Sequence, residues 1–380
     1  MISLDDFQAE AAAWLREHAT EAPANYGAIL PPDLVERGIA WQRLLFAEGW
    51  AGIHWPTESG GRGLTPEHQS IWLEETARQN VPPFINMVGV VLAGQGLQTY
   101  GTDEQRAEHL RPILAAERVW CQLFSEPEAG SDLASLRTAA AAAGNPDGSD
   151  GWIVNGQKVW CSGGRYSDWG ILMARTEPDL PQHKGISFFL IDMDSEGIET
   201  RPLKQMTGEA EFDEVFFTDV YMPPSALLGP LHGGWGVGMS ILTNERGSIG
   251  AGAIAMQRRL DGIAALAHSD DAAVGPLDVH DRQRLAALLS AGKSYQYLGM
   301  RQGAGASVGS SLNKLGITEL MFGVAELRAD LAGADGLLEG SASGGLLGAP
   351  GGRIAGGSSQ VQRNIIGERI LGLPKEPRPN

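Results

Sequence analysis

The apolar residues of this chain change their spacing twice, and the order of those periods limits the fold more than any single motif. From Ser3 to about Glu117 they recur at helical spacing, as at Ile39, Leu44, Leu45, Trp72, Leu73 and Leu110, with Pro31, Pro32, Pro82 and Pro83 punctuating the run. The period then gives way to short runs rich in β-formers, VWCQLF, WIVNGQKVW, WGILMA, GISFFLIDM and FDEVFFTDVYM, separated by Gly, Pro and Asp clusters. After Leu228 helical spacing returns in a glycine-rich segment, in RQRLAALL, in SLNKLGITELMFGVAELRADL and in QVQRNIIGERI. Helix, sheet, helix is neither alternating βαβ nor all-β, so it predicts an α+β chain with segregated layers. The expected divisions are a helical part over 1–118, a β part over 119–228 and a second helical part over 229–380. Asn155-Gly156, lying between two short β runs, predicts a type I′ hairpin. Gly340 to Gly357, rich in glycine, serine and alanine, predicts a loop.

Composition removes several function classes. A formal net charge of −17 argues against a nucleic-acid footprint, which needs a surplus of Lys and Arg on one face. Cys121 and Cys161 are the only cysteines, too few and too far apart for a zinc site or a disulfide framework, so a reducing compartment is expected. The opening ISLDDFQAEAAAWLREH carries acids where a signal peptide needs a basic start, and no apolar run reaches the roughly 18 residues of a membrane span. These points predict a cytoplasmic chain with no membrane and no nucleic-acid partner. The eight His show no His-Glu-x-x-His helix and no clustered spacing, so no catalytic metal is expected. Gly305-Ala306-Ser307-Val308-Gly309 matches a hydrolase nucleophile elbow, but no strand precedes it and it reads as a loop. GGWGVGM near Gly233 lacks the third glycine of a dinucleotide fingerprint and reads as the start of a helix.

Two loops and one acid carry chemistry. FSEPEAGSD, Phe124 to Asp132, supplies hydroxyls and backbone amides after a strand, and QKVWCSGGRYSDW sets Trp160 two residues before Ser162. Two such loops on one sheet suit a flat ring, which needs an aromatic wall and hydrogen-bond donors at its edge. With Trp235 to Ala255 read as one helix, Glu245 shares its face with Ile241, Leu242, Ser248 and Ile249, and none of its neighbours three or four residues away is a cation. Desolvation on an apolar stripe raises a carboxylate's pKa, which suits a base. A pairing of Glu245 with Arg246 or with a neighbouring helix stays open.

In order, FSEPEAGSD, DGWIVNGQKVWCSGGRYSDWG, GISFFLIDM, FDEVFFTDVYMP, the helix carrying NERGSIGAG and the ending SSQVQRNIIGERILGLP resemble the acyl-CoA dehydrogenase family, as does WPTESGGRGLT near Trp55. The resemblance covers nearly the whole chain. It implies an α+β fold with an N-terminal helical domain, a central β-domain and a C-terminal four-helix bundle. It implies FAD held by Leu123, Phe124, Ser125, Ser131, Trp160, Cys161 and Ser162, with Ser358 and Gln360 from the C-terminal part. Many members carry the catalytic glutamate in Tyr-Glu-Gly-Thr, but here that stretch reads Ala355-Gly356-Gly357-Ser358. A second group carries its base where Asn244-Glu245-Arg246 stands, so the resemblance makes Glu245 the catalytic base and Arg246 and Gly356 substrate-binding residues. The implied reaction is α,β-dehydrogenation of an acyl-CoA to a trans-2-enoyl-CoA, with an electron-transfer flavoprotein as acceptor. The family's Arg-x-x-Phe-Gly segment is missing from the corresponding HSDDAAVGPLDVHD. That departure fits the actinobacterial heterotetramers of two related chains that act on sterol side-chain thioesters, with this chain as the catalytic partner. Two other readings stay open: a partner subunit that has lost flavin binding, and a flavin oxidase or monooxygenase on the same scaffold.

Overall fold

The computed structural model describes residues 2–24, 26, 30–145, 147–244, 249–265, 277–301 and 306–375. The chain divides into two compact units, Met1–Glu245 and Arg246–Asn380. The first begins with helices α1 (Leu4–His18), α2 (Val35–Ala47), α3 (Pro66–Gln79), α4 (Gly94–Tyr100) and α5 (Asp103–Leu114). Helix α1 starts where Ser3 Oγ accepts from Asp6 N and buries Phe7, Ala11 and Leu15, one turn apart, against a core that includes Trp41, Trp50 and Trp72. A π-helical segment, Val88–Ala93, leads into α4. Just before it, Asn86 ties the helices to the sheet: its Oδ1 accepts from Gly89 N and Trp120 N, and its Nδ2 donates to the carbonyls of Ile113 and Arg118.

Strands β1 (Trp120–Leu123), β2 (Ala139–Ala142), β3 (Trp152–Ser162), β4 (Trp169–Arg175), β5 (Ile186–Asp192), β6 (Ile198–Leu203) and β7 (Phe212–Met222) form one seven-stranded sheet. β4 pairs in parallel with β1 and antiparallel with β5, while β3 runs antiparallel between β2 and β7, and β6 closes the far edge on β7. Helix α6 (Gly234–Asn244) then seats on β5, and glycine permits the close approach: a Cβ at Gly234 would lie 2.3 Å from the Ser187 carbonyl carbon. The start of a helix expected at GGWGVGM is found there.

The expected hairpin is not. Residues 152–162 form one uninterrupted strand, and Asn155-Gly156 is a bulge in its ladder with β7. The Asn155 amide bonds Asp219 in both directions at 2.9 Å, and Asp219 takes φ 50 opposite it. Gly156 backs onto Thr138, where a Cβ would come within 2.6 Å of the hydroxyl. With partners on both edges of the strand, the dipeptide's tolerance of unusual backbone serves a bulge rather than a reversal.

The second unit contains α7 (Ile249–Ala265), α8 (Val279–Arg301), α9 (Ala306–Ala332), α10 (Ser341–Ile354) and α11 (Ser359–Ile365) around Met256, Leu260, Ile263, Leu285, Leu320, Val324 and Leu327. The loop expected over 340–357 is largely the helix α10. Ser343 Oγ, donating to Leu338 O at 2.6 Å, fixes its start, while Arg353, bonded to Glu319 at 2.6 Å and stacked over Phe322, ties its end to α9, so tertiary contacts override poor glycine propensity. Residues 306–309 of the Gly-x-Ser-x-Gly segment are likewise the start of α9 rather than a loop, with helix α8 upstream, and Gly305 lies outside the described residues. Among the described residues no helix is long and apolar enough to cross a membrane.

His109 in α5 is wedged edge-on against Trp120 and Trp169, and Arg118 donates to its Nδ1 at 3.0 Å, which requires a neutral acceptor. Burial, with Arg118 acting in the same sense against Glu108, pushes the ring from its ordinary 6.5 down to about 4. The folded pKa lies below the unfolded one, so this stabilisation is complete above 6.5 and is lost as pH falls through about 4. The variant His109→Gln is therefore expected to lose less stability than wild type over that window, by on the order of 2 kcal/mol. Urea midpoints measured at a series of pH values check this, and parallel pH profiles would contradict it.

Candidate active site

Strand β1 carries the chain into the loop 124–138. Leu123 and Phe124 turn their side chains into the core, and neither presents an exposed surface. The Ser125 carbonyl accepts from Val159 N at 2.9 Å, which lays the loop alongside β3. A tight turn follows, with Glu126 and Ala129 exchanging backbone bonds, and Gly130 and Ser131 stand exposed, with nothing within 4 Å of a Cβ built at Gly130.

On β3 a second register shift falls between Lys158 and Cys161. Strict alternation would put Lys158 and Trp160 on one face. Instead Lys158 and Cys161 are both wholly buried while Trp160 is 53% exposed, with φ 60, its ring edge-on to Phe212 at 5.6 Å. The bulge turns one large aromatic outward between two buried neighbours. Half-buried Ser162 follows, and the chain then reverses at Gly163, φ 64. Asp213, on the facing strand β7, holds that reversal by accepting from Arg165 N and pairing with its guanidinium, both at 3.0 Å. Burial nonetheless pushes the Asp213 carboxyl above its ordinary range.

The Cys161 thiol points away from the exposed indole into the core, and burial pushes it well above an ordinary thiol. Burial pushes Cys121 up to about 12. Neither buried thiol is placed as a nucleophile, and Cys161 presents no exposed surface to the site.

Charges absent from the sequence reading anchor this arrangement. Lys158 Nζ donates to Glu126 Oε1 at 2.7 Å and to Phe124 O at 3.0 Å, and the Glu126 carboxylate also accepts from Arg137 N and Thr138 N. Burial alone would raise Glu126; the Lys158 ammonium and these donors outweigh it and hold the carboxyl below its ordinary range. Arg175 donates to the carbonyls of Ala134 and Leu136 at the loop's far end. The one available signal was a lysine set among apolar residues in a β run.

The structure therefore brings Ser125, Trp160 and Ser162 into one neighbourhood of the first unit, with Ser131 on the same loop. Gly356, Ser358 and Gln360 belong to the second unit. There Gly356 and Gly357 take φ 63 and 87, and their carbonyls accept from Gln362 and Lys314 at 3.0 and 2.7 Å. Ser358 Oγ caps α11 by accepting from Val361 N, and Gln360 is exposed. Glu245 and Arg246 lie outside the described residues, as does most of HSDDAAVGPLDVHD; α6 ends one residue before Glu245. Among the described residues no His, Cys, Asp or Glu side chains assemble in threes as a metal site.

Three family models match the chain in order: acyl-CoA dehydrogenase N-terminal domain over residues 4–117, middle domain over 121–220 and C-terminal domain over 232–371. The acyl-CoA dehydrogenase IpdE1 of Mycolicibacterium smegmatis is 36% identical over 394 residues, covering 99% of each chain. IpdE1 of Mycobacterium tuberculosis is 36% identical over 399 residues, covering 100% of each. Among solved structures, the Tcur3481-Tcur3483 steroid ACAD superposes with a TM-score of 0.78 at 26% identity over 98% of each chain. The ChsE4-ChsE5 complex from Mycobacterium tuberculosis gives 0.76 at 26% identity over 99% of this chain and 100% of that one.

The left-handed backbone at Trp160 inverts the usual strand preference at that position. A β-branched residue in that region costs about 1–2 kcal/mol that glycine avoids. Accordingly, Trp160→Gly is expected to exceed Trp160→Val in stability by roughly 1 kcal/mol, although valine outranks glycine in an ordinary strand. Equilibrium urea unfolding of the two variants decides it, and a more stable valine variant would mean an extended backbone at residue 160.

Proposed function

The chain belongs to the acyl-CoA dehydrogenase family, a family of FAD-dependent oxidoreductases, and on that footing we propose that it introduces a trans double bond between the α and β carbons of an acyl-CoA thioester. The observation that carries this reading is the bulge that turns Trp160 outward beside Ser125 and Ser162. An exposed indole, neighbouring hydroxyls and a loop with open space at Gly130 fit a flavin. Trp160 would pack against the ring, Ser125 and Ser162 would donate at its edge, and the loop through Ser131 would face its diphosphate. Bound there, FAD supplies a hydride acceptor for the substrate's β carbon.

Glu245 takes the α-proton in this proposal. In sequence it follows Ile241, which is buried, and half-buried Leu242, and no cation stands three or four residues away from it. An α C–H beside a thioester is a weak acid, so the developing enolate oxygen needs fixed donors. The family resemblance assigns that donor to the backbone amide at Gly356 and makes Arg246 the accompanying substrate contact; within its own unit the turn at Gly356 and Gly357 has its carbonyls held by Gln362 and Lys314. Gly356 stands where many members carry an acid, which leaves Glu245 as the base.

The substrate is proposed to be a bulky, sterol-derived acyl-CoA, and the assembly a heterotetramer of two copies each of this chain and a related one. Two of the similar structures are named as pairs of chains, one of them a steroid ACAD, and the missing Arg-x-x-Phe-Gly segment points the same way. An electron-transfer flavoprotein is the proposed acceptor, and the cytoplasm the proposed setting.

The decisive experiment is anaerobic titration of the purified protein, with any co-purifying partner, against straight, branched and sterol-derived acyl-CoAs. Wild type is expected to bleach with a sterol-derived substrate. Glu245→Gln is expected to keep its FAD while the bleaching rate falls by about 10² to 10⁴. Wild-type bleaching in that variant would eliminate Glu245 as the base.

A further inference from the structure

Lys158 has no exposed surface and Glu126 is 8% exposed, yet neither touches the face that Trp160 presents. Burying such a pair is a poor way to gain stability, because desolvation offsets the attraction and apolar replacements of similar volume often serve as well. What the pair does gain is geometry. Glu126 opens the loop and Arg137 and Thr138 close it; the carboxylate accepts from both backbone N–H groups at 2.7 and 2.9 Å, and the Lys158 ammonium locks it in place. The same ammonium donates to Phe124 O, one residue before Ser125, and Ser125 O accepts from Val159 N, one residue after Lys158.

The pair also explains the bulge. Lys158 and Cys161 are both drawn inward, so two residues, Val159 and Trp160, lie between them where a regular strand places one, and the excess is absorbed at the left-handed Trp160. A lysine free to reach solvent would let Lys158, Val159, Trp160 and Cys161 alternate without the register shift, and Trp160 would lose the left-handed backbone that sets its present aim.

We infer that the buried Lys158–Glu126 pair is a positioning device that sets both walls of the flavin-ring site at once, the Ser125 loop on one side and the outward indole of Trp160 on the other. This rests on the FAD reading above. Lys158 and Glu126 act through the groups they hold, not by touching the ring. Burial draws the Lys158 pKa down, and the Glu126 carboxylate opposes that.

The test uses the full chain with any partner that co-purifies, as wild type, Lys158→Met, and the neutral pair Glu126→Gln/Lys158→Met. FAD dissociation constants, the visible circular dichroism of bound flavin and hydrogen exchange at Val159, Arg137 and Thr138 in the apoprotein are measured for each. Lys158→Met is expected to hold FAD about tenfold or more weakly, with an altered flavin dichroism and faster exchange at those amides. In the neutral pair the melting temperature is expected to recover while FAD affinity and dichroism do not. Recovery of both together, or FAD affinity within about twofold of wild type in a folded Lys158→Met, would overturn the inference. If Lys158→Met fails to fold, the neutral pair decides it; if neither folds, wild-type exchange does, since unprotected Arg137 and Thr138 amides would mean that nothing clamps the loop. Wild type without FAD affinity would remove the flavin reading, and the amide protections would still report on the clamp.

Discussion

An ammonium group shut away from water must find oxygens, and where it finds them fixes the backbone that carries them. In this chain Lys158 finds the Glu126 carboxylate and the Phe124 carbonyl, and most of the site's geometry follows from that demand. The loop between β1 and β2 is closed at its neck by a carboxylate receiving two backbone amides, and Arg175 fixes the loop's last turn through carbonyls alone. Charge buried behind the sheet thereby shapes the surface in front of it. A polar network of this kind has little tolerance for partial satisfaction, because each unpaired member in a low-dielectric interior is costly.

The same economy of backbone appears where helices meet the sheet. Asn86 spends all its hydrogen-bonding capacity on backbone groups of the helical layer and of β1, and Gln105 caps its own helix while donating to the carbonyls of Ser225 and Leu227. Close seating of α6 depends on the missing side chain at Gly234, and at Gly96 a Cβ would press on Ile241 at 2.9 Å. The helix that ends just before Glu245 is thus placed by contacts that allow no added bulk.

Much of this was legible in the sequence and some was not, for physical reasons. The order of helices and strands follows from where apolar residues fall, and that pattern survives any tertiary detail. Asn155-Gly156 misled because its preference is for unusual backbone angles, which a bulge satisfies as well as a turn; only the strand on each side distinguishes them. The glycine-rich segment before Ala355 misled in the other direction, since propensity does not see Glu319 and Phe322 waiting on α9. Trp160 was noticed as an aromatic near a hydroxyl, but its outward aim comes from its buried neighbours. Lys158 and Glu126 were missed because a lone charge in a sequence looks solvated, and the two residues are separated by the whole of β2 and its turn. Leu123, Phe124 and Cys161 lie at the site in sequence, although the structure spends their side chains on the core.

The inward turn of Cys161 has a consequence of its own. A reduced flavin can leak electrons to oxygen and release peroxide beside the protein, and the thiolate is the form of cysteine that peroxide attacks. With Cys121 and Cys161 both buried and held protonated, the chain carries no cysteine in its readily oxidised thiolate form within the described sheet. The two cysteines beside such a redox centre would outlast its side reactions without a reductant to repair them.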